Sequence, residues 1–330
     1  MQPFTLAAPG DVAGATAAAA SAADAKYIAG GTDLVQLMKD GVERPQHLVD
    51  LAGLPFDRIE FGADGARIGA LVRMSDAADD AELRRRWPII AEALLASASP
   101  QLRNMATMGG NLLQRTRCGY FRDTGFPCNK RAPGSGCPAI AGDNRGLAIF
   151  GGSAHCVATH PSDLAVALAA LDAVVELSGP APQGGAATRR VALGEFHLLP
   201  GDTPERETVL RPGEIITAIL VPAETAGLHS HYLKVRDRAS FEFALVSAAV
   251  VVGMTGGRID RARVAMGGVG AKPWRLPAVE AALAGAPATP SAFAAAAAHA
   301  AEGAQPLSQN RFKIALMQRA LMRALTIATA

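Results

Sequence analysis

Thr107-Met108-Gly109-Gly110-Asn111 opens a stretch that runs to Cys156 and on into His160-Pro161-Ser162-Asp163. All four cysteines of the chain, Cys118, Cys128, Cys137 and Cys156, lie inside it. A second Gly-Gly turn, Gly30-Gly31-Thr32-Asp33, follows a short strand pattern at Lys26 to Ala29. It precedes a helix with Leu34, Leu37 and Met38 on one face. Glycine permits positive φ and lets backbone N–H groups approach a ligand without a Cβ in the way. Successive N–H groups in such a turn form a nest suited to a pyrophosphate. Each pair alone reads as a tight turn. Two of them beside Thr32, Thr107 and Asn111 point to a phosphate-bearing cofactor. G-x-G-x-x-G and the Walker A loop are both missing, which argues against those two nucleotide folds.

The cysteines are separated by nine, eight and eighteen residues, so there is no C-x-x-C pair and no zinc-ribbon spacing. The Gly-, Pro- and charge-rich surroundings of Cys118 and Cys137 do not resemble a core. Two disulfides, an irregular zinc site and a [4Fe–4S] cluster all remain open readings. Arg115, Arg117, Arg122, Lys130 and Arg131 crowd the same segment against Asp123 alone, a local charge of +4. Such a field is expected to lower the thiol pKa values and favour an anionic centre. Ser162 or Asp163 is a natural N-cap for the helix that follows. His155, His160 and Asp163 lack an accompanying G-x-S-x-G elbow, which removes the hydrolase reading.

Outward from this stretch, residues 1–55 read as a small βαβ-type unit ending in a strand at His47 to Leu51. Ile59 to Ala70 reads as a hairpin with its turn at Asp64-Gly65. Ser75 or Asp76 is expected to cap a short helix, and Pro88 to Ala96 to form another. Helix at Leu164 to Leu171 and strand at Ala173 to Leu177 lead into Gly179 to Thr188, read as a loop. Ile215 to Val221 is an apolar strand, and a domain boundary is expected between Pro222 and Leu228. Three strands follow, at His231 to Val235, Ala244 to Val252 and Ile259 to Met266, the last two joined by Gly256-Gly257. Two Ala-rich helices and an amphipathic helix with Ile314, Met317, Leu321 and Leu325 on one face close the chain. Lys234 falls just past the boundary, where ligands often bind between domains.

The composition suits a protein of two domains among 330 residues. Apolar residues make up 49% and charged residues 19%, ample for a core. The net charge of +2 argues against a nucleic-acid partner. No signal peptide or membrane span is visible, so the chain is expected to fold in the cytoplasm. It would remain there or reach the periplasm by co-export with a partner.

Taken together, the motifs resemble the FAD-binding subunits of the molybdenum hydroxylases, the family of xanthine dehydrogenase and carbon monoxide dehydrogenase. The matching stretches are Ala29-Gly30-Gly31-Thr32-Asp33-Leu34, Thr107 to Leu112, Ser162-Asp163 and Pro212-Gly213-Glu214-Ile215-Ile216. Lys234 with Arg236, Phe243 to Ser247, Gly267-Gly268-Val269 and Lys272-Pro273-Trp274-Arg275 complete them in the family's order. The resemblance implies an α+β protein. Its FAD-binding type-2 (PCMH-like) domain would span residues 1–222, in subdomains 1–55 and 56–222, the second carrying a cysteine loop at 115–156. A C-terminal α+β domain with a small antiparallel sheet would take 223–330. It also implies an FAD site from Ala29, Gly30, Gly31, Thr32, Asp33, Leu34, Thr107, Gly110, Asn111, Ser162, Asp163, Ile216 and Lys234.

Around the cysteines the sequence is similar to a subgroup, the bacterial periplasmic aldehyde oxidoreductases, carried by Cys118-Gly119-Tyr120-Phe121-Arg122, Pro127-Cys128-Asn129-Lys130, Gly134-Ser135-Gly136-Cys137 and His155-Cys156-Val157-Ala158. That implies a [4Fe–4S] cluster on the four cysteines, within a heterotrimer. Its partners would be a molybdenum-cofactor large subunit, a small subunit with two [2Fe–2S] clusters and an external electron acceptor. No residue here is expected to be catalytic towards the aldehyde. The flavin subunits of 4-hydroxybenzoyl-CoA reductase and of xanthine dehydrogenase rank second. A non-catalytic scaffold holding zinc or disulfides is the alternative of another class.

Overall fold

A computed structural model describes residues 1–181 and 185–330. Among the described residues, three sheets organise the chain. The first holds β1 (Thr5–Ala7), β2 (Lys26–Ile28) and β3 (His47–Asp50), all parallel with β3 central. Parallel neighbours need crossovers; helices Val12–Ala20 and Leu34–Lys39 provide them. The second sheet has the order β4-β5-β8-β6-β7, from β4 (Ile59–Gly62), β5 (Gly65–Gly69), β6 (Val174–Pro180), β7 (Ala186–Ala192) and β8 (Ile215–Pro222). The third runs β12-β11-β10-β9, from β9 (His229–Val235), β10 (Val246–Thr255), β11 (Arg258–Gly267) and β12 (Trp274–Arg275). Gly256 and Gly257, both at positive φ, turn β10 into β11, as the hairpin reading requires.

Three local expectations are corrected. Gly179 and Pro180 end β6, and Ala186 to Thr188 begin β7, so this part of the presumed loop is an edge ladder; 182–184 lie outside the described residues. The first hairpin turns at Ala63-Asp64, because Gly65 already pairs with Gly62. Gly65 has another reason to be glycine: its φ is +131°, and a Cβ there would stand 1.9 Å from the Val221 carbonyl oxygen. Neither Ser75 nor Asp76 caps helix Met74–Asp79, which starts after Arg73 without a side-chain cap.

β10 shows how the layers are stacked. Val246, Ala248, Val250 and Val252 face one core, against the C-terminal helices Pro277–Leu283, Pro290–Ala298 and Phe312–Ala328. Ala249 and Val251 face the other, which contains Tyr232, the wholly buried helix Asp163–Ala170 and helix Pro88–Ala96. A strand buried on both sides reads as a continuous apolar run, as Val246 to Val252 does. The cleft described below opens beside this layered contact, between the first sheet and β9.

Candidate flavin cleft and thiol pocket

A cavity of about 530 Å³ gathers segments distant in sequence. Ala29, Gly30, Gly31, Thr32, Asp33 and Leu34 line one side, and Thr107, Gly110 and Asn111 another. Asp163, Ile216 and Lys234 close it. Of the thirteen residues implied by the resemblance, Ser162 alone does not line the cavity; its hydroxyl donates to Asn111 Oδ1 at 2.5 Å from behind and accepts from Ala165 N–H. Ser162 is thus a helix cap and a support for Asn111.

The two Gly-Gly turns are not equivalent. Gly31 sits at φ +70°, and among the described residues none of the N–H groups from Gly30 to Leu34 has a protein acceptor. Five consecutive amides bordering a cavity make an anion nest. In the second turn every N–H from Met108 to Asn111 is already bonded. Met108 donates to Val72 O, Gly109 to Ala70 O, Gly110 to Thr107 Oγ1 and Asn111 to Thr107 O. The free amides therefore lie on the first turn, and the second turn packs the cleft wall.

At the far wall, the buried Asp163 carboxylate accepts from Lys234 Nζ at 2.7 Å, Ser97 Oγ at 2.9 Å and Tyr232 OH at 2.5 Å. Burial, then Asp163, push the Tyr232 phenol well above its ordinary pKa, so it stays a donor. Tyr232 and Ser97 were missed from sequence. Tyr232 had a signal: it lies two residues from Lys234 on one strand and therefore on the same face. Asp33 has a second role. It accepts from Arg115 N–H at 2.7 Å and from Arg122 at 2.8 Å, and pairs with Arg117 at 3.1 Å. It thereby sews the cysteine segment onto the nest.

Cys118, Cys128, Cys137 and Cys156 are free thiols lining one small cavity of about 10 Å³. Asn129 ties the segments that carry them, donating to His155 O at 3.0 Å and accepting from Gly136 N–H at 2.7 Å. Among the described residues no set of three or more His, Cys, Asp or Glu side chains is drawn to metal-binding spacing. The four thiols converge on one pocket without forming such a set. Cys118, Cys137 and Cys156 are not pushed towards thiolate, contrary to the expectation from local charge. Burial raises Cys118 to about 11 and raises Cys137 and Cys156 as well, with Lys130 only opposing it at Cys156. The reason lies in the ion pairs. Asp33, Glu43 and Glu207 arrive from outside the segment and neutralise Arg115, Arg117, Arg122 and Lys130. Arg131 is turned onto the carbonyls of Tyr120 and Phe121.

Behind the second turn, His160 and His197 stack with ring centroids 4.2 Å apart, and both present Nε2 to the Leu112 carbonyl. A carbonyl only accepts, so each ring carries its proton on Nε2. Protonating Nδ1 of His197 would place a donor where the buried atom has no partner. Burial accordingly lowers His197 to about 4 and His160 well below 6.5. Both folded pKa values lie below the unfolded one, so the unfolded chain binds more protons as the pH falls below 6.5. Stability is full above pH 6.5 and is lost towards pH 4, by up to about 3 kcal/mol for His197. A His197→Gln variant should show a shallower loss across that window in equilibrium denaturation; an unchanged pH profile would refute the assignment.

Residues 2–224 match the FAD binding domain in molybdopterin dehydrogenase, and 230–328 match the CO dehydrogenase flavoprotein C-terminal domain. The protein is therefore an FAD-binding flavoprotein. More particularly, it belongs to the FAD-binding subunits of the molybdenum hydroxylase family, and is an oxidoreductase subunit. The aldehyde oxidoreductase FAD-binding subunit PaoB of Escherichia coli (strain K12) is 48% identical over 332 residues, covering 100% of this chain and 99% of that protein. The carbon monoxide dehydrogenase medium chain of Afipia carboxidovorans is 28% identical over 76% of this chain and 68% of its own. Among solved structures, the cyanide-inactivated Cu,Mo-CO dehydrogenase superposes with a TM-score of 0.77 at 26% identity, covering 100% of this chain and 99% of that one. Among the described residues no helix is long and apolar enough to cross a membrane.

Proposed function

We propose that this chain is the electron-transferring flavin subunit of a molybdenum-containing aldehyde oxidoreductase, and that it carries a [4Fe–4S] cluster on Cys118, Cys128, Cys137 and Cys156. The free amides from Gly30 to Leu34 carry the flavin part of the reading. They give a diphosphate five uncompensated donors at the edge of a cavity of about 530 Å³. Ala29 flanks this nest, and Thr107, Gly110 and Asn111 form the opposite wall. Ile216 gives an apolar surface, while Lys234, paired with Asp163, brings a cation without leaving a net charge. When bound, FAD accepts electrons delivered singly and passes them to an external acceptor. The chain's own task is to hold, orient and electrostatically tune it.

Aldehyde oxidation is assigned to a molybdenum-cofactor large subunit, with electrons relayed by a small subunit bearing two [2Fe–2S] clusters. The support is the relationship to an aldehyde oxidoreductase subunit over the full chain. The cluster reading rests on the convergence of all four thiols of the chain on one pocket. Metal loading would drive deprotonation of its ligands, which burial opposes at Cys118, Cys137 and Cys156. The alternative on the same four ligands is a single zinc ion.

Metal and acid-labile sulfide analysis of the complex purified without oxygen separates these readings. Iron with matching sulfide above the content of the small subunit supports the cluster, and Cys128→Ser should remove that excess while FAD stays bound. Zinc without the excess iron would overturn it.

A further inference from the structure

Glu207 belongs to none of the motifs that mark the two pockets, yet it stands between them. Its Oε1 meets Lys130 Nζ at 3.0 Å and its Oε2 accepts from Arg115 Nε at 2.5 Å. Lys130 lines the thiol pocket and is fixed at its other side by the Pro204 carbonyl, 2.8 Å away. Arg115 lines the flavin cleft, reaches Glu43 on the first subdomain, and lies 4.6 Å above the ring of Phe121, which itself lines the thiol pocket. Burial opposes a charge on Glu207, but Arg115 and Lys130 outweigh it and hold the carboxyl below its ordinary pKa. Burial likewise opposes Arg115, and Glu207 and Glu43 outweigh it in turn. Each charge in this chain is thus kept by its neighbours, and losing one member leaves the next uncompensated.

We propose that Glu207 is a positioning residue that couples the two pockets, so that metal held by the thiols strengthens FAD binding in the cleft. This rests on the reading that the four thiols hold a metal, as cluster or single ion. Metal binding fixes Cys118 and Cys128, and with them Phe121 and Lys130. Those two residues fix Arg115, one from its ring face and the other through the shared Glu207 carboxylate. Arg115 enters the cleft already oriented, and FAD then meets a wall that needs no further ordering. By linkage, FAD favours metal retention to the same degree.

The test is an FAD titration of the deflavinated full chain, followed by flavin fluorescence, before and after metal is stripped with a chelator. Wild-type affinity is expected to weaken about fivefold or more on stripping, at the low end of ordinary site-to-site coupling. In Glu207→Gln, which keeps the shape and loses the charge, the ratio between the two states should collapse towards one while metal content stays at the wild-type level. A wild-type ratio of one, with stripping verified by metal analysis, overturns the coupling and leaves the metal reading standing. A chain that never contains metal overturns both. A Glu207→Gln variant with the full wild-type ratio removes Glu207 from the proposal. The wild-type comparison needs no variant to fold.

Discussion

Gly30→Ala is expected to yield a chain that is purified almost free of flavin. A Cβ at Gly30 would stand 1.9 Å from the Met105 carbonyl oxygen and 2.7 Å from its carbon. Both are backbone atoms, so no rotamer change relieves the overlap. The nest turn and the segment before Thr107 must then part, and these are the two walls of the cleft. Strain of about 3 kcal/mol is at the upper end for overpacking; if all of it is relieved by opening the cleft, FAD weakens by about a hundredfold. The measurement is the ratio of flavin to protein absorbance after purification, with thermal unfolding as a companion. Gly110→Ala is the contrast. Its Cβ would meet only Thr107 Oγ1, at 2.9 Å, the far end of a side chain. That variant should lose the Thr107 cap, about 1 kcal/mol, and keep most of its flavin. Equal flavin loss in both would show that the two turns share the diphosphate after all.

How far the cleft could be read from sequence depends on the range of the interaction concerned. The Gly30-Gly31 turn is legible because strand, turn and helix are adjacent, and glycine's conformational freedom is a local property. Which turn keeps its amides free is not local. It is decided by the Val72 and Ala70 carbonyls, which reach across from the end of β5 to Met108 and Gly109. The cations of the cysteine segment illustrate the same limit. Counted along the chain they sum to +4, yet their partners Asp33, Glu43 and Glu207 lie 72 to 92 residues away. A charge sum over a window therefore gave the wrong sign for Cys118, Cys137 and Cys156, where burial decides instead. β7 escaped because its sequence, Ala186 to Ala192, shows neither alternation nor an apolar face; only its ladder with β6 makes it a strand. By contrast, β10 was legible to within a few residues because burial on both sides leaves a run of Val and Ala.

The buried pair at the far wall permits the sharpest test of what holds the cleft together. Asp163→Ala should destabilise the chain by about 3–5 kcal/mol, the range for breaking a buried ion pair from one side. It leaves Lys234, whose side chain is 4% exposed, with only the Ala96 carbonyl, and it leaves the Tyr232 hydroxyl without its acceptor. Lys234→Met removes the opposite charge and should cost less, because Ser97 and Tyr232 still donate to the carboxylate. Both variants should lose flavin, since Asp163 and Lys234 each line the cavity. The double variant Asp163→Ala/Lys234→Met leaves neither charge uncompensated. Its loss in equilibrium denaturation should fall short of the summed single losses by about 1–3 kcal/mol, the coupling expected of groups in direct contact. Flavin should not return with stability, because a neutral wall holds the fold without offering the cofactor a charged partner. Additive stability losses would mean that the two groups act independently. A stable double variant that binds FAD normally would assign the pair to the fold alone and shift the burden of binding to the amides of Gly30 to Leu34.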